Sequence, residues 1–131
     1  MNNKISPYIY PGLKVEMLDA SKHPYLYKLK DRMGEDIIIK IILEKFGITH
    51  EQMVSKNRNR EFVDARLIVA YILRKKCRLT YVHIGHKIGN RDHTTAIHNV
   101  RKFEDVYETD VSFRKLSNIV FDKVGLEPLM K

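Results

Sequence analysis

From residue 35 onward, apolar residues recur with the 3.6-residue period of amphipathic helices, and residues suited to helix ends bound most of the stripes. Ile38, Ile41, Ile42 and Phe46 form the first stripe, which Gly47 closes as a C-cap. Thr49-His50-Glu51-Gln52 then reads as a capping box, a hydroxyl at the N-cap with an amide three residues on, and predicts a short helix over Met53 and Val54. Phe62, Ala65, Val69, Ile72 and Leu73 predict a longer amphipathic helix over residues 61–76, with Arg66, Arg74 and Lys75 off its apolar stripe. Thr80 caps a helix carrying Tyr81, Ile84 and Ile88, closed by Gly89-Asn90, two residues that tolerate left-handed backbone. Asp92 caps the next helix, whose stripe is Ala96, Ile97, Val100, Phe103 and Tyr107. Asp110 caps the last, through Phe113, Leu116 and Val120 to Gly125. No strand-like alternation or internal repeat interrupts this series, so the chain reads as all-α.

Two stretches lack the period. Residues 1–34 are punctuated by Pro7, Pro11, Gly12 and Pro24 and read as an arm, rich in tyrosine (Tyr8, Tyr10, Tyr25, Tyr27), with one helix expected near residues 13–20. Ser55-Lys56-Asn57-Arg58-Asn59-Arg60 contains no apolar residue and reads as a basic loop. The expected organisation is an arm (1–34), a helical domain (35–125) and a short tail (126–131).

Charge sharpens this picture. The net charge is +8, but residues 55–102 hold 12 of the 24 basic and 3 of the 16 acidic side chains, a net of +9, while the rest of the chain nets −1. A basic surface so localised is the footprint of a polyanionic partner. The 131 residues suit one domain, and the longest apolar run, from Leu67 to Leu73, is far short of the roughly 20 residues that span a bilayer. Cys77 is the only cysteine, which excludes an internal disulfide framework and a thiolate-rich zinc site. The amino terminus lacks the pattern of a secretory signal, so a cytoplasmic, nucleoid-associated protein is expected, with no membrane partner. His83 and His86 share a helix face without a third ligand nearby, so neither a metal site nor an enzyme is expected.

Two short helices joined by a glycine-containing turn have the layout of a helix-turn-helix, here over residues 80–102. A second helix of this kind enters the major groove with its N-terminal side chains at base edges. The face opposite its apolar stripe displays Thr94, His98, Arg101 and Asp105, with Thr95 and Lys102 beside it, while a wheel places His93 near the apolar side. On such a face Thr94 suits a thymine methyl or a phosphate, Asp92 either a cytosine amine or the cap alone, and basic residues such as Arg101 the phosphate backbone.

Gly89-Asn90-Arg91-Asp92-His93-Thr94-Thr95-Ala96-Ile97-His98 resembles the signature Gly-Gly-Arg-Asp-His-Thr-Thr-Val-x-His of the carboxy-terminal DNA-binding domain of the bacterial replication initiator DnaA. The resemblance runs over roughly residues 36–122 and includes the basic loop. It implies a helical bundle with an embedded helix-turn-helix, Trp-repressor-like in its class, that binds DnaA-box-like sites in double-stranded DNA. Carried over by position, it puts Arg58 in the minor groove and Asp92, His93 and Thr94 on bases in the major groove. Lys56, Arg66, Arg74, Thr95, His98 and Lys102 become phosphate or sugar contacts. The chain departs from the family pattern at Asn57, Asp64-Ala65, Leu67, Tyr81-Val82 and Asn90. None of its six glycines precedes a lysine, so it contains no nucleotide-binding phosphate loop, and neither a nucleotide nor another cofactor is expected. The expected role is a stand-alone regulator or accessory factor of replication or transcription. The competing reading reuses the fold to bind DNA nonspecifically or to dock on replication or transcription proteins.

Overall fold

A computed structural model describes residues 34–130, and among them six helices and no strand are found. They are α1 (Glu35–Phe46), α2 (His50–Val54), α3 (Arg60–Lys75), α4 (Tyr81–Lys87), α5 (His93–Thr109) and α6 (Val111–Val124). The expected arm, its helix near residues 13–20 and its four tyrosines lie outside the described residues, apart from Gly34.

The helix ends fall where the side chains can satisfy them. Thr49 and Gln52 form the reciprocal capping box of α2, each side chain bonding the other's backbone amide at 3.1 and 2.8 Å. Thr80, Asp92 and Asp110 accept from the amides of His83, Thr95 and Phe113. Asp110 also receives an ion pair from Arg60 at 2.9 Å, which ties the start of α3 to the corner between α5 and α6.

The centre of the fold is α3, which packs against each of the other five helices. Every residue from Ala65 to Leu73 is buried, Arg66 included. The one-sided stripe expected from the sequence is therefore too narrow: a helix surrounded by neighbours buries its whole circumference. The unbroken apolar run Leu67 to Leu73 is the sequence counterpart of that burial. Tyr71 stacks on Phe103 of α5 at 4.2 Å between ring centroids, and Phe103 meets Phe113 and Phe121 of α6 at 5.4 and 5.9 Å.

Two stripes are rotated from their expected register. In α1 the buried set is Ile38, Ile39, Ile42 and Leu43, with Ile41 and Phe46 only partly buried, because the helix faces α3 and α6 together. In α6 Leu116 is half-buried and Ser117 takes the inner position, followed by Val120, Phe121 and Val124. Beyond α6 the tail is fastened rather than loose. The Tyr107 hydroxyl accepts from the Met130 amide at 2.8 Å, and Asn118 Nδ2 donates to the Met130 carbonyl at 2.9 Å.

The helix-turn-helix depends on a close approach of backbones. Gly85 of α4 lies against the Arg91 carbonyl so tightly that a Cβ would overlap it, and the Gly85 carbonyl accepts from the Arg91 amide at 2.9 Å. Alanine favours an ordinary helix interior over glycine by up to about 1 kcal/mol, but overpacking costs about 1–3 kcal/mol. Gly85→Ala is therefore expected to lower stability in urea unfolding, and an unchanged or higher midpoint would contradict the close approach.

Candidate nucleic-acid interface

The basic loop, residues 55–59, owes its shape to its non-basic members. Ser55 Oγ donates to the Gln52 carbonyl at 2.7 Å and accepts from the Asn57 amide at 3.2 Å; Asn57 Oδ1 accepts from the Asn59 amide at 2.9 Å. These local bonds use alternate positions, and the intervening Lys56 and Arg58 are exposed.

Arg66 supports the loop from beneath. Its Nε donates to the Met53 carbonyl at 2.6 Å and its Nη2 to the carbonyls of Ser55 and Asn57 at 2.7 and 2.8 Å. The expected phosphate contact at Arg66 thus meets a different geometry: the side chain is 6% exposed and these donors are committed to backbone. Burial, and then the nearby Arg91 charge, pushes its pKa below the usual arginine range. Arg74, also expected at the backbone of DNA, donates to the Leu79 carbonyl at 2.9 Å and stacks over the Tyr81 ring at 4.2 Å.

The turn before α5 is held by Asn90, whose φ of +54° is the left-handed backbone expected there, and by Gly89 with φ of +114°. Arg91, between the turn and the cap of α5, ties two segments together. Its Nη1 donates to the Ile88 carbonyl and its Nη2 to the Ser55 carbonyl at 2.9 Å, joining the turn to the basic loop. The only hint in the sequence was a cation placed between two turn residues and a cap.

At the first turn of α5, Asp92, His93 and Thr94 are all exposed. His93, which a wheel places near the apolar side, is exposed through its first-turn position, where no preceding turn covers it. Asp92 is shown as the cap, with Oδ1 2.9 Å from the Thr95 amide, a bond that holds its carboxyl below the usual range. Along the helix, Thr94, His98, Arg101 and Asp105 are exposed as expected, and Ile97 is half-buried rather than in the core.

Loop and helix face each other across an open cleft of about 640 Å³, whose walls include Lys56, Arg58, Thr95, His98 and Lys102, with Arg66 and Arg91 also lining it. Arg101 lies on an adjoining shallow groove shared with His98 and Lys102. Arg74 is not brought to either.

The remaining basic residues of the block divide by environment. Among the described residues, Arg60 pairs with Asp64 and Asp110, and Lys87 with Glu35 and Asp36. His83 Nε2 lies 2.8 Å from Glu35 Oε1 and His86 Nδ1 3.4 Å from Asn90 Oδ1, so these two histidines brace α4. No three His, Cys, Asp or Glu side chains group as a metal site among the described residues, and no described helix is long and apolar enough to cross a membrane.

The family described as the bacterial dnaA protein helix-turn-helix matches residues 36–103. The chain is 33% identical over 93 residues to the chromosomal replication initiator protein DnaA of Lachnoclostridium phytofermentans, covering 71% of this chain and 20% of that protein. It is 35% identical over 83 residues to the same-named protein of Chloroflexus aggregans, covering 63% and 17%. With that of Flavobacterium psychrophilum, identity is 28% over 112 residues, covering 86% and 23%. The chain thus spans about a fifth of the length of these relatives.

Two substitutions separate support from contact. Arg66→Met removes the donors to two loop carbonyls and to that of Met53 in α2 and is expected to cost roughly 3 kcal/mol in urea unfolding; a fully stable variant would return Arg66 to the surface. Asp92 has a folded-state pKa below its unfolded value of about 3.9. Its capping contribution is therefore complete above that value and is lost as pH falls through the lower folded one. The stability difference between the parent and Asp92→Asn should shift against the parent as pH drops from 6 to about 2. Parallel curves would contradict this assignment.

Proposed function

The chain belongs to the bacterial dnaA protein helix-turn-helix family, and on that premise we propose that it is a non-enzymatic, sequence-specific reader of DnaA-box-like sites in double-stranded DNA. Family membership implies DNA binding; the reading of sequence is what the site geometry supports. The observation that carries it is the cleft that sets the exposed Arg58 loop opposite the recognition helix α5. One element then serves each groove. The first turn of α5 presents Asp92, His93 and Thr94 to base edges in the major groove, which is wide enough to admit a helix. Arg58 reaches from the loop into the adjacent minor groove, where a planar cation suits the narrow, electronegative floor.

Lys56, Thr95, His98, Arg101 and Lys102 then hold the sugar-phosphate backbone and set the register of the helix. Arg66 and Arg74 leave that list in this reading, since their hydrogen bonds go to the protein's own carbonyls. The reading needs no metal, nucleotide or other cofactor. Within a cell such a protein belongs in the cytoplasm at the nucleoid, as a stand-alone regulator or accessory factor of replication or transcription that shares sites with an initiator.

Selection from a random duplex pool at stated salt is expected to enrich one short motif, and no enrichment would leave a nonspecific binder or a protein-docking module. On the selected duplex, Arg58→Ala and Thr94→Ala should each reduce the preference over a scrambled duplex by about 1–3 kcal/mol. Lys102→Ala should weaken both duplexes alike and lower the salt slope by about one. Equal losses on both duplexes for all three variants would contradict the division of labour.

A further inference from the structure

We infer that Arg91 is a positioning residue, which sets the spacing between the basic loop and the recognition helix without itself touching DNA. The inference rests on the two-groove reading above. A reader that places one side chain in the minor groove and a helix in the major groove needs the two held to a fraction of an ångström, and loops hold such positions poorly unless something locks them.

The lock is visible in three places. The Arg91 guanidinium spans two segments, bonding the Ile88 carbonyl at the end of α4 and the Ser55 carbonyl at the start of the loop. Ser55 is held from the other side by Arg66 Nη2 at 2.7 Å, so one carbonyl joins the loop to both α3 and the turn. Gly89 leaves the passage open: a Cβ there would collide with the Arg91 guanidinium and the Val54 carbonyl. The Arg91 backbone is fixed as well, its amide bonded to Gly85 at 2.9 Å. Burial lowers its pKa from the usual arginine range.

A fork is needed for this task. Arginine presents donors in a planar array that reaches two acceptors together, whereas a lysine ammonium is a single point on a flexible stem. Charge and reach can therefore be separated with Arg91→Lys and Arg91→Gln, read by amide relaxation on the free protein and by duplex binding across a salt series.

In the free protein, both variants should drop the backbone order parameters of residues 56–58 from the rigid range near 0.85 towards 0.6, with α3 and α5 unchanged. On DNA, both should lose about tenfold in preference for the selected duplex over the scrambled one. The slope of log affinity against log salt should stay that of the parent. A slope reduced by about one in Arg91→Gln would make Arg91 a phosphate contact and overturn the inference. So would retained order and preference in Arg91→Lys, or loss of the fold in both variants, which would make the residue purely structural. If the parent itself prefers no sequence, the function proposed above fails, and the order parameters alone decide the lock.

Discussion

A guanidinium buried beneath a loop is the interaction on which the candidate DNA-binding surface depends. Residues 55–59 follow the short helix α2 and precede α3; the Asn59 carbonyl accepts from the first-turn amides of Phe62 and Val63, but the carbonyls of Ser55 and Asn57 have no such backbone partner. Arg66 supplies them from inside the fold, reaching Met53, Ser55 and Asn57 from a position on the central helix. Burying a cation is costly in itself, and the cost is offset only where every bond is well placed. Several carbonyls at 2.6–2.8 Å meet that condition and keep the group charged despite the fall in its pKa. Loop shape, cleft and the facing α5 follow from this arrangement, since Ser55 is also where the turn is attached.

Much of this fold was legible in the sequence, because helix ends are local chemistry. Thr49, Thr80, Asp92 and Asp110 each act on an amide within three residues, and the structure shows all four bonds. The basic loop and the exposed Thr94-His98-Arg101 face were legible for the same reason, as runs and periods of a few residues. The errors lie where a side chain's fate is set by distant segments. Arg66 looked like a surface cation because a wheel assumes one dry face, and α3 has none that is wet over residues 65–73. The register of α1 and the inward Ser117 of α6 likewise depend on which neighbours each helix meets. Arg91 was invisible as a tie because its partner, Ser55, lies 36 residues away.

The departures from the family pattern are local solutions to the same geometry. Asn90 adopts the left-handed turn that the signature assigns to glycine. Asn57 organises the loop through its bond with the Asn59 amide. Tyr81 provides a face for Arg74, whose own bond to Leu79 steadies the approach to α4.

Arg66, Arg74 and Arg91 bond to neutral carbonyls, so their charges are held in place without being cancelled, unlike those of Arg60 and Lys87. At a distance a polyanion senses every uncompensated charge, and these three add to the field that steers its approach. At contact only the outward side chains exchange ions with it. The encounter rate therefore draws on a larger charge than the residence time does, and the protein can find its partner quickly without holding every stretch of it for long.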